Sequence, residues 1–166
     1  ITAWGTLKYK HDSTGEELFM PVMHKNPATP VEWSATGPSI SLRLKAQTAL
    51  IRLKATDSDG NSIIEDATMP KCKTAKWNGS NPELIAESSS LLFPANGLVQ
   101  IYPTTVAAGD ILFKLPGSRT IIANKSYTFL AGVEYTFNIA VTTKGDVVLQ
   151  GFEIMEMEEG AELGNR

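Results

Sequence analysis

The chain has 166 residues, 42% of them hydrophobic, with 15 basic against 18 acidic side chains and a net charge of −3. That length and apolar content suit one packed domain, and the acidic balance argues against a nucleic-acid partner, which needs a basic surface to meet phosphates. No apolar run has the length of a membrane-spanning helix.

The first residue is Ile1, and no charged and apolar leader precedes it. This points to a trimmed or processed chain, from which any export signal or lipid anchor would have been lost. Residues 2–10 alternate Leu7 and Tyr9 against Thr6, Lys8 and Lys10, the period of a strand. Residues 11–15 are a turn cluster, and 18–23 suit a strand that Pro21 makes an edge strand or a broken one. Residues 25–38 hold Pro27, Pro30, Pro38 and Gly37. They read as a loop, with Trp33 as its anchor in the core.

Residues 40–46 and 49–55 alternate again, out of phase across Gln47-Thr48, which predicts a bulge or a kinked long strand. Asp57-Ser-Asp-Gly60 is a turn, and 62–65 resume as a strand. Asp57, Asp59 and Asn61 resemble the start of a calcium loop, but Gly60 stands one residue early and no helices flank it. Lys71, Lys73 and Lys76 surround Trp77. Such a cluster can meet single-stranded nucleic acid, yet the overall acidity favours an exposed strand or loop. Asn81-Pro82 places a cap residue before a first-turn proline, so 81–87 predict one short helix, with Ser88-Ser89-Ser90 as a connector.

Short strands follow at 91–94, 98–102, 110–115 and 120–123, with a loop over 103–109. The clearest pattern is 133–141, where Val133, Tyr135, Phe137, Ile139 and Val141 face one way and Glu134, Thr136 and Asn138 the other. Lys144-Gly-Asp146 then turns the chain into 147–157, with Val148, Gln150, Phe152 and Ile154 two apart. Roughly ten short strands, divided by Gly, Pro, Asn and Asp, predict an all-β antiparallel sandwich with at most one short helix. It occupies 1–157 as a single domain, with 1–38 as a peripheral hairpin and Pro-rich loop, and 158–166 as a flexible acidic tail.

Catalysis needs positioned acids, bases or nucleophiles. His11 and His24 lack partners at ligand spacing, and Cys72 is a lone thiol that can form neither an internal disulfide nor a zinc site. The carboxylates from Glu153 to Glu162 read as a solvated face. These features predict a non-enzyme without metal or cofactor. Trp4, Trp33 and Trp77 could stack on sugar faces as a glycan platform, or lie in the core.

Tyr102-Pro-Thr-Thr-Val-Ala-Ala-Gly109, a following strand, and Tyr127-Thr-Phe-Leu-Ala-Gly-Val-Glu-Tyr-Thr-Phe-Asn-Ile-Ala-Val141 resemble the late segment of the fimbrillin family. These are the type V pilin subunits and relatives of Gram-negative gut and oral anaerobes. The resemblance covers about residues 40–157. In place of a frequent family histidine the chain has Gln47 or Thr48, and where the family's closing strand leads to a Trp it has Phe152 and Met155 to Met157. The resemblance implies a transthyretin-like β-sandwich, a lipoprotein precursor, and residence outside the cell at the outer membrane or in fimbriae. It also implies a structural or adhesive subunit whose partners are other fimbrillin-like subunits or host or bacterial surface receptors. Family members polymerise by strand donation. Here the donor or closing strand would be 147–157, with Val147, Leu149, Phe152 and Ile154 as its side chains, or else an ordinary internal strand. The alternative function is a surface-tethered glycan-binding module on the tryptophans.

Overall fold

A computed structural model describes residues 2–11, 14–25, 32–34, 37–39, 44–78 and 81–157. All regular structure among them is β, in fifteen strands with no helix. Two compact units divide the chain: residues 1–47, 76–85 and 158–166 in one, 48–75 and 86–157 in the other.

In the first unit, β1 (Thr2–Lys10) pairs antiparallel with β2 (Glu17–Lys25) over nine residue pairs. Leu7, Tyr9, Leu18, Met20 and Val22 share one face, and Met20 and Val22 are buried there. Pro21 lies inside an unbroken strand, its carbonyl accepting the Gln47 N–H at 2.9 Å. Where the sequence reads as a loop, β3 (Glu32–Ser34) and β4 (Gly37–Ser39) form a short hairpin. The predicted strand 40–46 falls partly outside the described residues; its end is β5 (Lys45–Ala46), which joins β2.

The second unit holds two four-stranded sheets. The first comprises β6 (Ala49–Thr56), β9 (Leu98–Ile101), β14 (Val133–Val141) and β15 (Val147–Glu156), in the order β15-β14-β6-β9. The second comprises β7 (Thr68–Asn78), β8 (Asn81–Leu92), β11 (Ile111–Leu115) and β12 (Arg119–Ile122), in the order β12-β11-β7-β8. The last residues of β7 and the first of β8 belong to the first unit. A two-stranded ribbon of β10 (Thr104–Val106) and β13 (Tyr127–Phe129) completes the set.

The core lies between the two sheets. Ile51, Leu53, Phe137 and Ile139 come from one, Met69, Leu112, Phe113 and Leu115 from the other. Rings link them edge to face: Phe93 to Phe113 at 5.7 Å, Phe113 to Phe137 at 4.9 Å, and Phe129 to Tyr135 at 4.9 Å. That geometry sets positive ring edges on negative ring faces.

Four details depart from the sequence reading. Residues 47–48 separate two strands of different sheets instead of kinking one, because β5 pairs with β2 while β6 pairs with β14 and β9. Residues 62–65 form only a single bridge, Ser62 to Thr56. The predicted helix at 81–87 and the serine connector lie in the twelve-residue β8; partners across the sheet outweigh a weak local helix signal. The predicted loop 103–109 contains β10.

The pairing of β6 with β14 is parallel, with Ile51 opposite Tyr135 and Leu53 opposite Phe137. Both strands are therefore covered on both faces at their centres. The side read from sequence as polar buries Leu50, Arg52, Glu134 and Thr136, as expected for a parallel pair inside a sheet. Arg52 Nε donates to Glu134 Oε1 at 2.8 Å, which supplies each buried charge with its opposite.

Candidate functional site

β15 is a ten-residue edge strand of the sandwich, second in length to the twelve-residue β8 at the edge of the other sheet. It is last in its sheet, and no strand among the described residues is hydrogen-bonded to its outer side. Its inner side is paired with β14 from Val141–Val147 to Val133–Glu156. The connecting turn is held by Thr142 N–H to Asp146 O at 2.8 Å and Gly145 N–H to Thr142 O at 2.9 Å.

A bulge interrupts this ladder: Asn138 faces Gly151 and Ile139 faces Leu149, so Gln150 is the extra residue. An extra residue reverses the alternation. Val147 and Leu149 before the bulge, and Phe152 and Ile154 after it, therefore all lie on the side of Val141, Ile139, Phe137 and Tyr135. Phe152 packs into the core at 4.8 Å from the Phe137 ring and 5.2 Å from Tyr127, under the Lys125 ammonium at 5.5 Å. Val147 and Leu149 are half-buried against the same cluster.

Ile154 is different. It stands on the core side, directly across from buried Tyr135, yet is 61% exposed. Met155 beside it is 47% exposed. Leu130, also exposed, donates its N–H to the Tyr135 hydroxyl at 2.8 Å. The apolar row of β15 thus runs past the part of the core that covers it. Among the described residues no strand is hydrogen-bonded to its outer edge, beside which β12 packs; such an edge can pair with another strand.

Of the three tryptophans, the side chains of Trp4 and Trp77 are described. Trp4 sits on the outward face of β1 and is exposed. Trp77 is half-buried, and its Nε1–H donates to the Gly5 carbonyl at 3.2 Å. Trp33 lies on β3, and its side chain falls outside the described residues, as does the whole acidic tail.

The remaining chemistry-bearing side chains are dispersed. His11 is buried in the first unit and Cys72 in the second. The Cys72 thiol donates to the Ser89 carbonyl at 3.0 Å, and burial pushes its pKa up, which keeps it a thiol. Among the described residues no group of three His, Cys, Asp or Glu side chains could hold a metal ion. Asp57 closes its turn by accepting the Asp59 and Asn61 N–H groups, both at 2.9 Å, and the Asn61 bond foremost lowers its pKa.

Sequence reasoning located β15 but could not see the exposure of Ile154 and Met155, which depends on how far the opposite sheet extends. Gly151 in mid-strand was the available signal for the bulge.

No protein-family pattern matches the sequence, and no curated protein matches it. Among solved structures, the chain is similar to a candidate cell adhesion protein of Bacteroides uniformis, with 13% identity and a TM-score of 0.46. That match covers 93% of this chain and 66% of the other. A candidate cell adhesion protein of Bacteroides ovatus is similar at 12% identity and a TM-score of 0.37, over 95% of this chain and 60% of the other. The chain thus spans less than two thirds of the length of either. Identities this low leave function to the chain's own residues.

Proposed function

We propose that this chain is a non-enzymatic structural or adhesive subunit of the cell surface, fimbrillin-like, which assembles by strand addition at β15. The observation that carries the reading is Ile154, a core-facing side chain left 61% exposed on a ten-residue edge that pairs with no further strand among the described residues. An extended segment laid along that edge would pair with its backbone groups and cover Ile154 and Met155 with alternate side chains. This is the physics of β-augmentation, in which main-chain bonds give strength and side-chain pockets give register. The resemblance of residues 127–141 to the fimbrillin pattern supports the same role at the outer surface, with other subunits of this type as partners.

β15 is itself held by β14 through its whole length, so its part in this scheme is to accept a strand within a paired sheet. The test is the full-length protein, processed in its native host. The expected result is multimers that resist SDS, which the exposed-site variant Ile154→Lys loses while keeping its thermal unfolding midpoint. A processed protein that stays monomeric refutes assembly. Multimers undiminished by Ile154→Lys refute the β15 edge as the contact.

A further inference from the structure

A groove of about 470 Å³ opens in the second unit, away from β15. It is lined by residues 70–73 of β7, 88–90 of β8 and 104–105 of β10. Its origin lies in how β7 is paired. The ladder to β11 is recorded at Thr68, opposite Lys114. Further along, the Lys73 carbonyl accepts the Tyr102 N–H at 2.6 Å, while β8 is hydrogen-bonded to the other edge of β7. Pro70 lies between these points and has no N–H to leave unpaired. That residue therefore leaves no backbone donor unpaired.

The chemistry of the lining is uniform. Residues 88–90 are all serine, and Thr104 and Thr105 stand opposite them in composition. Each hydroxyl both donates and accepts. The Thr105 hydroxyl is already 3.1 Å from that of Thr128, which fixes its place. Two lysines border the groove. Lys71 is neutralised by Asp110 at 2.8 Å. Lys73 is exposed and has no carboxylate partner among the described residues. No aromatic ring lines the groove, so ring stacking is not available there, and the lining is too polar for an apolar ligand. The groove offers hydroxyls, with Ser88 and Ser90 on one face of β8, and one cation without a carboxylate partner among the described residues, on a protein whose net charge is −3.

We infer that this groove binds an anionic saccharide, its hydroxyls met by Ser88, Ser90 and Thr104 and its carboxylate or sulfate by Lys73. The ammonium suits this role as a compact charge with three rotatable donors. The inference is independent of the assembly reading, because no residue of β15 lines the groove. It also places sugar recognition away from the tryptophans.

The experiment uses the purified chain and three probes: tetragalacturonate, a heparin-derived tetrasaccharide and neutral cellotetraose. Titration calorimetry gives the affinities, and amide shifts locate the site. The expected result is binding of an acidic probe, weakened by salt, with shifts at 70–73, 88–90 and 104–105. Lys73→Glu lowers that affinity at least about tenfold, the loss expected for one charge-assisted hydrogen bond, and keeps the wild-type unfolding midpoint. Tetragalacturonate binding assigns the charge to a carboxylate, and binding of the heparin fragment without tetragalacturonate to a sulfate. The inference is overturned if neither acidic probe binds, if cellotetraose binds equally well, if Lys73→Glu binds normally, or if the shifts fall elsewhere. Should Lys73→Glu unfold, Ser88→Ala/Ser90→Ala takes its place, with the same loss expected and unchanged affinity overturning the assignment.

Discussion

Replacing Gly97 with alanine should unfold the sandwich at a much lower denaturant concentration. Gly97 precedes β9 with a φ of 69°, and a Cβ there would lie 2.2 Å from the Leu53 carbonyl oxygen and 3.1 Å from Ile64 Cδ1. The Gly97 carbonyl accepts the Leu53 N–H at 2.8 Å. Leu53 is fully buried and laddered to Phe137, so β6 cannot withdraw without shifting its neighbour. Three costs combine. The left-handed backbone costs an alanine about 1 kcal/mol. Forcing a methyl into packed structure costs about 2 kcal/mol, and losing the Leu53–Gly97 bond about 1 kcal/mol. The result is a loss of about 4 kcal/mol, a large share of a typical domain's stability. With a urea slope of about 2 kcal/mol per molar, the midpoint falls by about 2 M. Gly145→Ala is the control. Its φ is 84°, but nothing lies within 4 Å of its Cβ, so it should cost only about 1 kcal/mol. Near-UV circular dichroism of the aromatic core follows both. Equal midpoint shifts in the two variants would refute the close-contact reasoning.

Either Arg52→Met or Glu134→Leu alone should cost about 3 kcal/mol by stranding a buried charge, while the double variant costs less than the two singles together. A four-protein urea series measures this, and strict additivity contradicts it. Burial raises the folded-state pKa of both Cys72 and Tyr127. The folded state then holds these protons more tightly than the unfolded chain. Their contribution is complete below the unfolded pKa values, about 8.5 for Cys and about 10 for Tyr, and is lost as pH rises through the folded ones. Urea midpoints should therefore decline from about pH 9 upward; Cys72→Ala should remove the earlier part of the decline, and a flat profile to pH 11 in both proteins would count against it.

How much could be read from the sequence varied with the range of the forces involved. The face Tyr135, Phe137 and Ile139 was legible because a strand repeats every two residues, and all three are buried. The opposite face was not. Glu134 and Arg52 look solvent-exposed in sequence, and their pairing across 82 residues helps to make their burial tolerable. Asn81-Pro82 carried a helix signature that strand pairing overrode along β8. At the candidate site, the segment 147–157 was identifiable, but the bulge at Gln150 and the uncovered Ile154 depend on contacts no local pattern encodes. The groove was less visible still: its lysines were legible as a cluster, while its serines read as a connector and its threonines as a loop.

The parallel pairing of β6 with β14 also bears on how the chain comes to fold. β9 is available to one edge of β6 early, but the other edge waits for a strand that begins at Val133. At synthesis rates of roughly 5–20 residues per second, the 82 residues between Arg52 and Glu134 take about 4–16 s to appear. Over that interval the apolar run Ala49–Leu-Ile-Arg-Leu53 has one edge open. Closing so distant a contact is slow even when the whole chain is present. The same central pair that locks the finished sandwich therefore keeps the growing chain open until its last quarter has been made.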